Sequence, residues 1–144
     1  MKILLLLVSS CLSFVAFGQL ESPVGRWKTI DEDTGQPKSI VEIYPEGDRY
    51  SGKIAEILTD NRTAVCTECS GSKHNRPILG MVIIEDLEPA DDNEPTWEGG
   101  TILDPQKGST YKLTVWYADD KPDELYVRGK HWTGLYRTQK WFRE

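Results

Sequence analysis

The sequence predicts an all-β protein, a small antiparallel up-and-down β-barrel of about eight strands. Three observations predict it. Short runs rich in β-branched and aromatic residues recur along the chain, and Gly-, Pro- and Asp-rich clusters separate them at short spacing. No stretch beyond the N-terminus repeats its apolar residues with the period of an amphipathic helix. Hairpin-length connections favour a meander that closes on itself and so leaves no strand edge exposed, with a Greek-key sandwich as the alternative.

The strands follow in order. Gly25 to Ile30 is the first, ended by the turn formers Asp31-Glu32-Asp33-Thr34-Gly35. Ser39 to Tyr44 is the second, and Pro45-Glu46-Gly47-Asp48 is a hairpin connection into the third, Arg49 to Leu58. Ile78 to Glu85 is the fourth, centred on Met81-Val82-Ile83-Ile84. Thr96 to Leu103 is the fifth and runs into Asp104-Pro105-Gln106-Lys107-Gly108, with Pro early and Gly late as a turn requires. Thr110 to Ala118, the sixth, alternates cleanly: Tyr111, Leu113, Val115 and Tyr117 share one face, and Lys112, Thr114 and Trp116 the other. Glu124 to Lys130 and Leu135 to Arg143 complete the set. Two segments interrupt this rhythm. Thr59 to Pro77 shows no strand pattern and is expected to be a long loop, while Glu85 to Glu94 is crowded with acids and is expected to be a solvated acidic loop.

The N-terminus reads differently. Lys2 supplies a positive charge, Ile3 to Phe17 is an almost unbroken apolar run, and Ala16-Phe17-Gly18 places small residues where a signal peptidase accepts them. Residues 1–18 therefore read as a signal peptide cleaved after Gly18, leaving residues 19–144 as one periplasmic or secreted domain with no transmembrane segment. The alternative, a membrane anchor, needs about 20 apolar residues to cross the hydrocarbon core. Cys11 in Val8-Ser9-Ser10-Cys11 loosely resembles a lipoprotein attachment box, but Leu12 to Phe17 stays apolar where a polar tether is usual.

Composition narrows the partners. The formal net charge is -6, and losing Lys2 with the signal makes it -7. An acidic domain repels nucleic acid and anionic lipid surfaces. The five Trp and six Tyr suit strands, barrel interiors and surfaces that receive flat or apolar ligands.

Few residues point to chemistry. Cys66-Thr67-Glu68-Cys69 has three readings. It could be half a zinc site with His74 near by, a redox dithiol, or a structural disulfide. Export to an oxidising compartment puts the disulfide first. Asp91-Asp92-Asn93-Glu94 has oxygen ligands for calcium but lacks the spacing and central Gly of a calcium loop. In the last strand Leu135, Arg137, Gln139 and Trp141 share a face, as do Tyr136, Thr138, Lys140 and Phe142. Whichever face turns inward, a polar side chain enters the interior and needs a partner. Nothing matches a hydrolase motif, a phosphate-binding Gly loop, a complete metal site or a cofactor site.

Two resemblances follow from these residues. Gly25-Arg26-Trp27 resembles the G-x-W opening of lipocalins and fatty-acid-binding proteins, in which an Arg late in the barrel packs over the Trp. That resemblance implies a structural pairing of Trp27 with Arg137. The second covers the mature chain: GRWKTIDEDTGQPKSIVEIY, YSGKIAEIL, CTEC, PILGMVI, WEGGTILDPQKGSTYKL, LYVRG and LYRTQKW occur in an order similar to the bacterial family called domain of unknown function 2147 (DUF2147). It implies an exported protein with a lipocalin-like barrel and supplies no catalytic residues.

The expected function is a non-enzymatic envelope protein whose barrel mouth takes a small apolar or amphipathic ligand, with Trp97, Tyr111, Tyr117 and Arg137 lining the site. The alternative is a protein–protein interaction module with a filled core and with Trp116 and Trp132 as outer contacts. An enzyme would need a cluster around Asp104, His131 or the cysteines.

Overall fold

The computed structural model describes residues 22–91, 94–119 and 121–144. The expected signal peptide and cleavage site, and Cys11, lie outside the described residues. Eight antiparallel strands form a closed barrel in sequence order: β1 (Gly25–Ile30), β2 (Pro37–Glu46), β3 (Arg49–Ile57), β4 (Val82–Pro89), β5 (Thr96–Asp104), β6 (Ser109–Tyr117), β7 (Glu124–Lys130) and β8 (Tyr136–Arg143). Each strand pairs with the next, and β8 returns to β1. The expected fold class is what the structure shows.

Odd and even strands run in opposite directions, so the connections fall into two sets. The β2–β3, β4–β5 and β6–β7 turns lie at one end together with Ser22 to Val24. The β1–β2, β5–β6 and β7–β8 turns lie at the other, with the long segment between β3 and β4. That segment is tied together internally. Val65 bridges Pro77, the Cys66 N–H donates to the Arg76 carbonyl, and the Ile78 N–H donates to that of Ala64.

The core follows the alternation of the strands. Leu113, Val115 and Tyr117 on β6, Leu125 and Val127 on β7, and Trp141 on β8 are buried, while their neighbours along each strand are not. The inward row of β8 is thus Arg137, Gln139, Trp141 and Arg143. The outer row meets the outer rows of β6 and β7 in a ladder, with Arg128 over both Trp116 and Tyr136 and Lys140 over Tyr126. Cation–aromatic stacking of this kind covers apolar ring surface that would otherwise face water.

One strand differs from expectation. β4 starts at Val82 and continues to Pro89, so half of the acidic stretch is strand rather than loop. Its acids are exposed and paired outside the barrel, Asp86 and Glu88 with Arg49 and Glu85 with Lys73, while Leu87 is fully buried. Asp86 has a φ of 57°, and the β3–β4 register shifts beside it, as in a bulge that re-aims the chain. Acids and a local break in alternation hide a strand from pattern reading.

The bulge leaves no room on β5. A Cβ on Gly100 would press on the Glu85 carbonyl oxygen and lie 2.7 Å from the Leu87 nitrogen. Both are backbone atoms held in a ladder and cannot step aside. Gly100→Ala is therefore expected to destabilise the fold by about 3 kcal/mol, the upper part of the range for overpacking. Urea unfolding should show a lower midpoint at an unchanged slope, and an unchanged midpoint would refute the steric argument.

Candidate ligand-binding cavity

The barrel is filled at one end and hollow at the other. In the filled half Trp27, Trp97, Tyr117, Ile43, Leu87 and Leu125 pack together, all at least 96% buried. Tyr117 lies between two indoles, with ring centroids 6.0 Å from Trp27 and 5.9 Å from Trp97. The chain before β1 seals this end. The Trp27 Nε1–H donates to the Pro23 carbonyl at 2.9 Å, and the Tyr117 hydroxyl donates to the Ser22 carbonyl at 2.7 Å.

Arg143 completes the seal. Its guanidinium lies 4.3 Å from the centre of the Trp27 ring, donates from Nε to the Pro122 carbonyl at 2.9 Å and donates from Nη2 to the Tyr117 hydroxyl at 3.1 Å. Gly25 permits this approach: a Cβ there would sit 2.5 Å from Arg143 Nη1, and the backbone φ of 152° is one that side chains disfavour. Burial pushes the Tyr117 phenol above its ordinary value, and the charge of Arg143 offsets part of that rise. A neutral Tyr that both donates and accepts a hydrogen bond is what this contact needs.

The hollow half holds a cavity of about 960 Å³ that opens between the β1–β2, β5–β6 and β7–β8 turns. Its floor is apolar: Val41, Ile54, Ile83, Ile102, Val127 and Trp141. Above the floor stand Tyr111, Gly129, Gln139 and the hydrogen-bonded pair Thr29 and Ser39. The rim carries charge of both signs, from Asp31, Glu32, Lys38, Asp104, Lys107 and Arg137, with the His131 ring beside them. Several of these are already engaged. Asp31 accepts the N–H groups of Asp33 and Thr34, which lowers its pKa, Asp104 accepts that of Gln106, and Lys38 donates to the Gln106 side chain. Arg137 pairs with Glu32 of the β1–β2 turn, beside the seam of β1 and β8.

The long β3–β4 segment forms one wall of the mouth through Thr59, Asn61, Ala64, Val65, Thr67 and Ile78. Cys66 and Cys69 form a disulfide and are both buried in the core cluster beside Ile83 and Leu103. Of the three readings of this motif, the disulfide is the one present. The bridged loop rests directly on the β5–β6 turn, where a Cβ on Gly108 would lie 3.0 Å from the Cys69 nitrogen. His74 places Nδ1 2.9 Å from the Cys69 carbonyl oxygen, a contact within the loop.

A family model described as an uncharacterized protein conserved in bacteria (DUF2147) matches residues 25–143. The chain belongs to DUF2147. A solved structure of protein HP1028 from Helicobacter pylori, described as belonging to the lipocalin family, is similar to it with a TM-score of 0.71. Identity is 17%, and the match covers 85% of this chain and 83% of that one. At that identity the likeness is one of fold. Among curated proteins, none matches the sequence.

The DUF2147 barrel divides the residues singled out in the sequence. Tyr111 and Arg137 line the cavity, whereas Trp97 and Tyr117 do not: they are packed into the filled half. Both pairs lie on inward faces, and alternation alone does not tell which end of a barrel is hollow. The pairing of Trp27 with Arg137 is corrected to Trp27 with Arg143. The two arginines share the inward row of β8, but Arg143 faces Trp27 in the β1–β8 register, while Arg137 is six residues towards the mouth. Of the proposed outer contacts, Trp132 is 88% exposed, and Trp116 is half-buried under Arg128. Asp104 and His131 are held within their own turns, the latter 2.9 Å from the Thr133 hydroxyl. Sequence reasoning missed Gln139 and Gly129 as cavity residues. The row containing Arg137 and Trp141 was the available signal for Gln139, and nothing local distinguished Gly129.

Two outcomes are expected here. Arg143→Ala removes charged hydrogen bonds and the contact over Trp27 and should cost about 3 kcal/mol, whereas Arg137→Ala, which loses an exposed ion pair, should cost less than about 1 kcal/mol. Comparable losses in thermal unfolding would sink the assignment of Arg143 as the closing residue. Reducing the disulfide should cost about 2 kcal/mol, the small chain-entropy gain of so short a crosslink. Intact mass before and after reduction identifies the bridged form.

Proposed function

We propose that this protein is an exported, non-enzymatic binding protein of the bacterial envelope whose barrel takes a small apolar or amphipathic ligand. The observation that carries this reading is the half-hollow barrel: an apolar floor beneath a polar rim in a cavity of about 960 Å³, of the size that ligand sites occupy. The disulfide is at home in an oxidising compartment, which supports the export reading of residues 1–18. The lipocalin description of the similar structure supports a container rather than a catalyst. Asp104, His131 and the bridged cysteines are spent on local contacts, which weakens the enzyme alternative.

The interaction-module reading keeps one observation in its favour, the exposure of Trp132 and Leu135 on the β7–β8 turn and of Tyr136 at the start of β8. Its premise of a filled core is at odds with the cavity. Leu135 and Tyr136 also line the mouth, so the same apolar tip serves a binding barrel as part of its entrance.

A titration with the neutral probe N-phenyl-1-naphthylamine tests the reading. Saturable probe emission, with quenching of Trp fluorescence, is expected at micromolar concentration, about 8 kcal/mol of binding free energy. Ile102 lines the cavity and is only partly buried, so Ile102→Trp has room to fill it and should weaken binding at least tenfold with the fold intact by circular dichroism. No saturable binding by the wild-type chain would end the proposal.

A further inference from the structure

The cavity proposed above as a ligand site offers more than apolar area, because one side of its wall is rich in hydrogen-bond donors. Arg137 sits on the inward row of β8, two residues above Gln139 and four above Trp141. Gln139 Oε1 accepts the Trp141 indole N–H at 3.2 Å, which assigns its other amide atom as an NH₂ donor. Among the described residues, neither that NH₂ nor the Tyr111 hydroxyl has a protein partner. Arg137 faces Gly129 across the β7–β8 ladder, and a Cβ on Gly129 would lie 3.2 Å from Tyr111 Cβ. The missing side chain lets Tyr111 pack close over the β7 backbone, on the same inward wall as Arg137. Unpaired donors beside an apolar floor call for an acceptor attached to an apolar body.

Arg137 already holds such an acceptor. The Glu32 carboxylate pairs with it from the β1–β2 turn, and both side chains are well exposed, at 56% and 38%. An ion pair so exposed contributes little stability, so replacing one carboxylate by another costs little. A guanidinium binds a carboxylate through two parallel N–H donors, and a ligand carboxylate fits the fork that Glu32 occupies. The location adds a consequence. Pairing of β1 with β8 is formed by Trp27 with Arg143 and Lys28 with Phe142, although β1 continues to Ile30 and β8 begins at Tyr136. Glu32 and Arg137 therefore span the wall where its two closing strands have parted.

Resting on the binding reading, we infer that the cavity is a site for a single-chain amphiphile with a carboxylate head, with Arg137 as the head-group residue and Glu32 as an internal competitor. The head displaces Glu32 from Arg137 and takes donors from Gln139 and Tyr111. The chain runs down the inward row of β8 towards Trp141, a depth of about 13 Å over four strand residues. Leaving Arg137, Glu32 frees the β1–β2 turn from β8 and widens the entrance on that side. The neighbouring acids do not occupy this place: Asp31 and Asp104 accept backbone N–H groups in their own turns. A chain with no acceptor at its head would leave the donors unpaired, and one with a cationic head would meet Arg137 directly.

Isothermal titration of the mature protein with dodecanoate and dodecanol at pH 8 tests this, since the two share a chain and differ in the head. The wild-type chain is expected to bind the acid at least tenfold more tightly than the alcohol. Arg137→Gln should bring the acid down to the affinity of the alcohol, and Arg137→Lys should restore part of the difference. Glu32→Gln should strengthen acid binding severalfold and leave the alcohol as it was. Equal affinities in the wild type, or a preference for acid that survives Arg137→Gln, would overturn the head-group assignment while the binding reading stands. An unchanged acid affinity in Glu32→Gln would overturn the competition. If neither ligand binds but the neutral naphthylamine probe does, the carboxylate amphiphile is the wrong class. If the probe fails as well, the cavity reading falls and this inference with it.

Discussion

The barrel closes through two residue pairs. Every other neighbouring pair of strands shares a longer ladder, whereas β1 meets β8 through Trp27 with Arg143 and Lys28 with Phe142. A seam this short needs side chains to hold it, and the sequence supplies them on both sides of the wall. Inside, Arg143 covers Trp27 and links β8 to the β6–β7 turn through Pro122 and to β6 through Tyr117. Outside, Arg26 pairs with Glu144 as well as with Glu42 and Glu56, so the first and last strands are also clasped by charge. The inner contacts carry most of the energy, because they are shielded from water while the outer pairs are exposed. Gly25 belongs to the same device, since only a residue without Cβ leaves room for the guanidinium.

Closing the barrel at one end has a consequence for the other. Trp27, Trp97 and Tyr117 are gathered around Arg143. Above the Trp141 floor much of the mouth half is lined by Val, Ile and Gly, with Tyr111 and Gln139 among them, and their volumes leave the lumen open. A barrel of eight strands has an interior that large side chains just fill. Placing Trp27, Trp97 and Tyr117 in one half therefore leaves the other half empty. The cavity is a product of where the large side chains sit along the strands, with no change in strand number.

This also explains which parts of the structure were legible in the sequence. Strand order, closure and the apolar faces of β6 and β7 follow from period-two alternation and turn chemistry, because both act within a few residues. Both faces of β8 are mixed, and packing decides which turns inward. β4 was misplaced since its outward acids and the bulge at Asp86 erase the alternation. Axial position is a different kind of information. Arg137 and Arg143 lie on one row, and so do Tyr111 and Tyr117. Which member of each pair meets Trp27 depends on the stagger between strands distant in sequence. The long loop raised the same difficulty: Cys66 and Cys69 named a crosslink, but only the packing of that loop on Gly108 shows that it forms a wall of the mouth.

The two halves are energetically separate, and that separation bears on the function. The contacts that close the fold lie below Trp141, and the residues that would meet a ligand lie above it, with Trp141 shared as the floor. Substitutions well separated in space and without common partners act on stability nearly independently. Changes at Tyr111, Gly129 or Arg137 can therefore alter what the cavity accepts without loosening the seam at Arg143. The converse is less free. Gln139 draws its orientation from the indole of Trp141, whose ring also packs in the core, so a repacked floor would re-aim a donor in the cavity. Trp141 is the point at which the architecture of the filled half sets the chemistry of the hollow one.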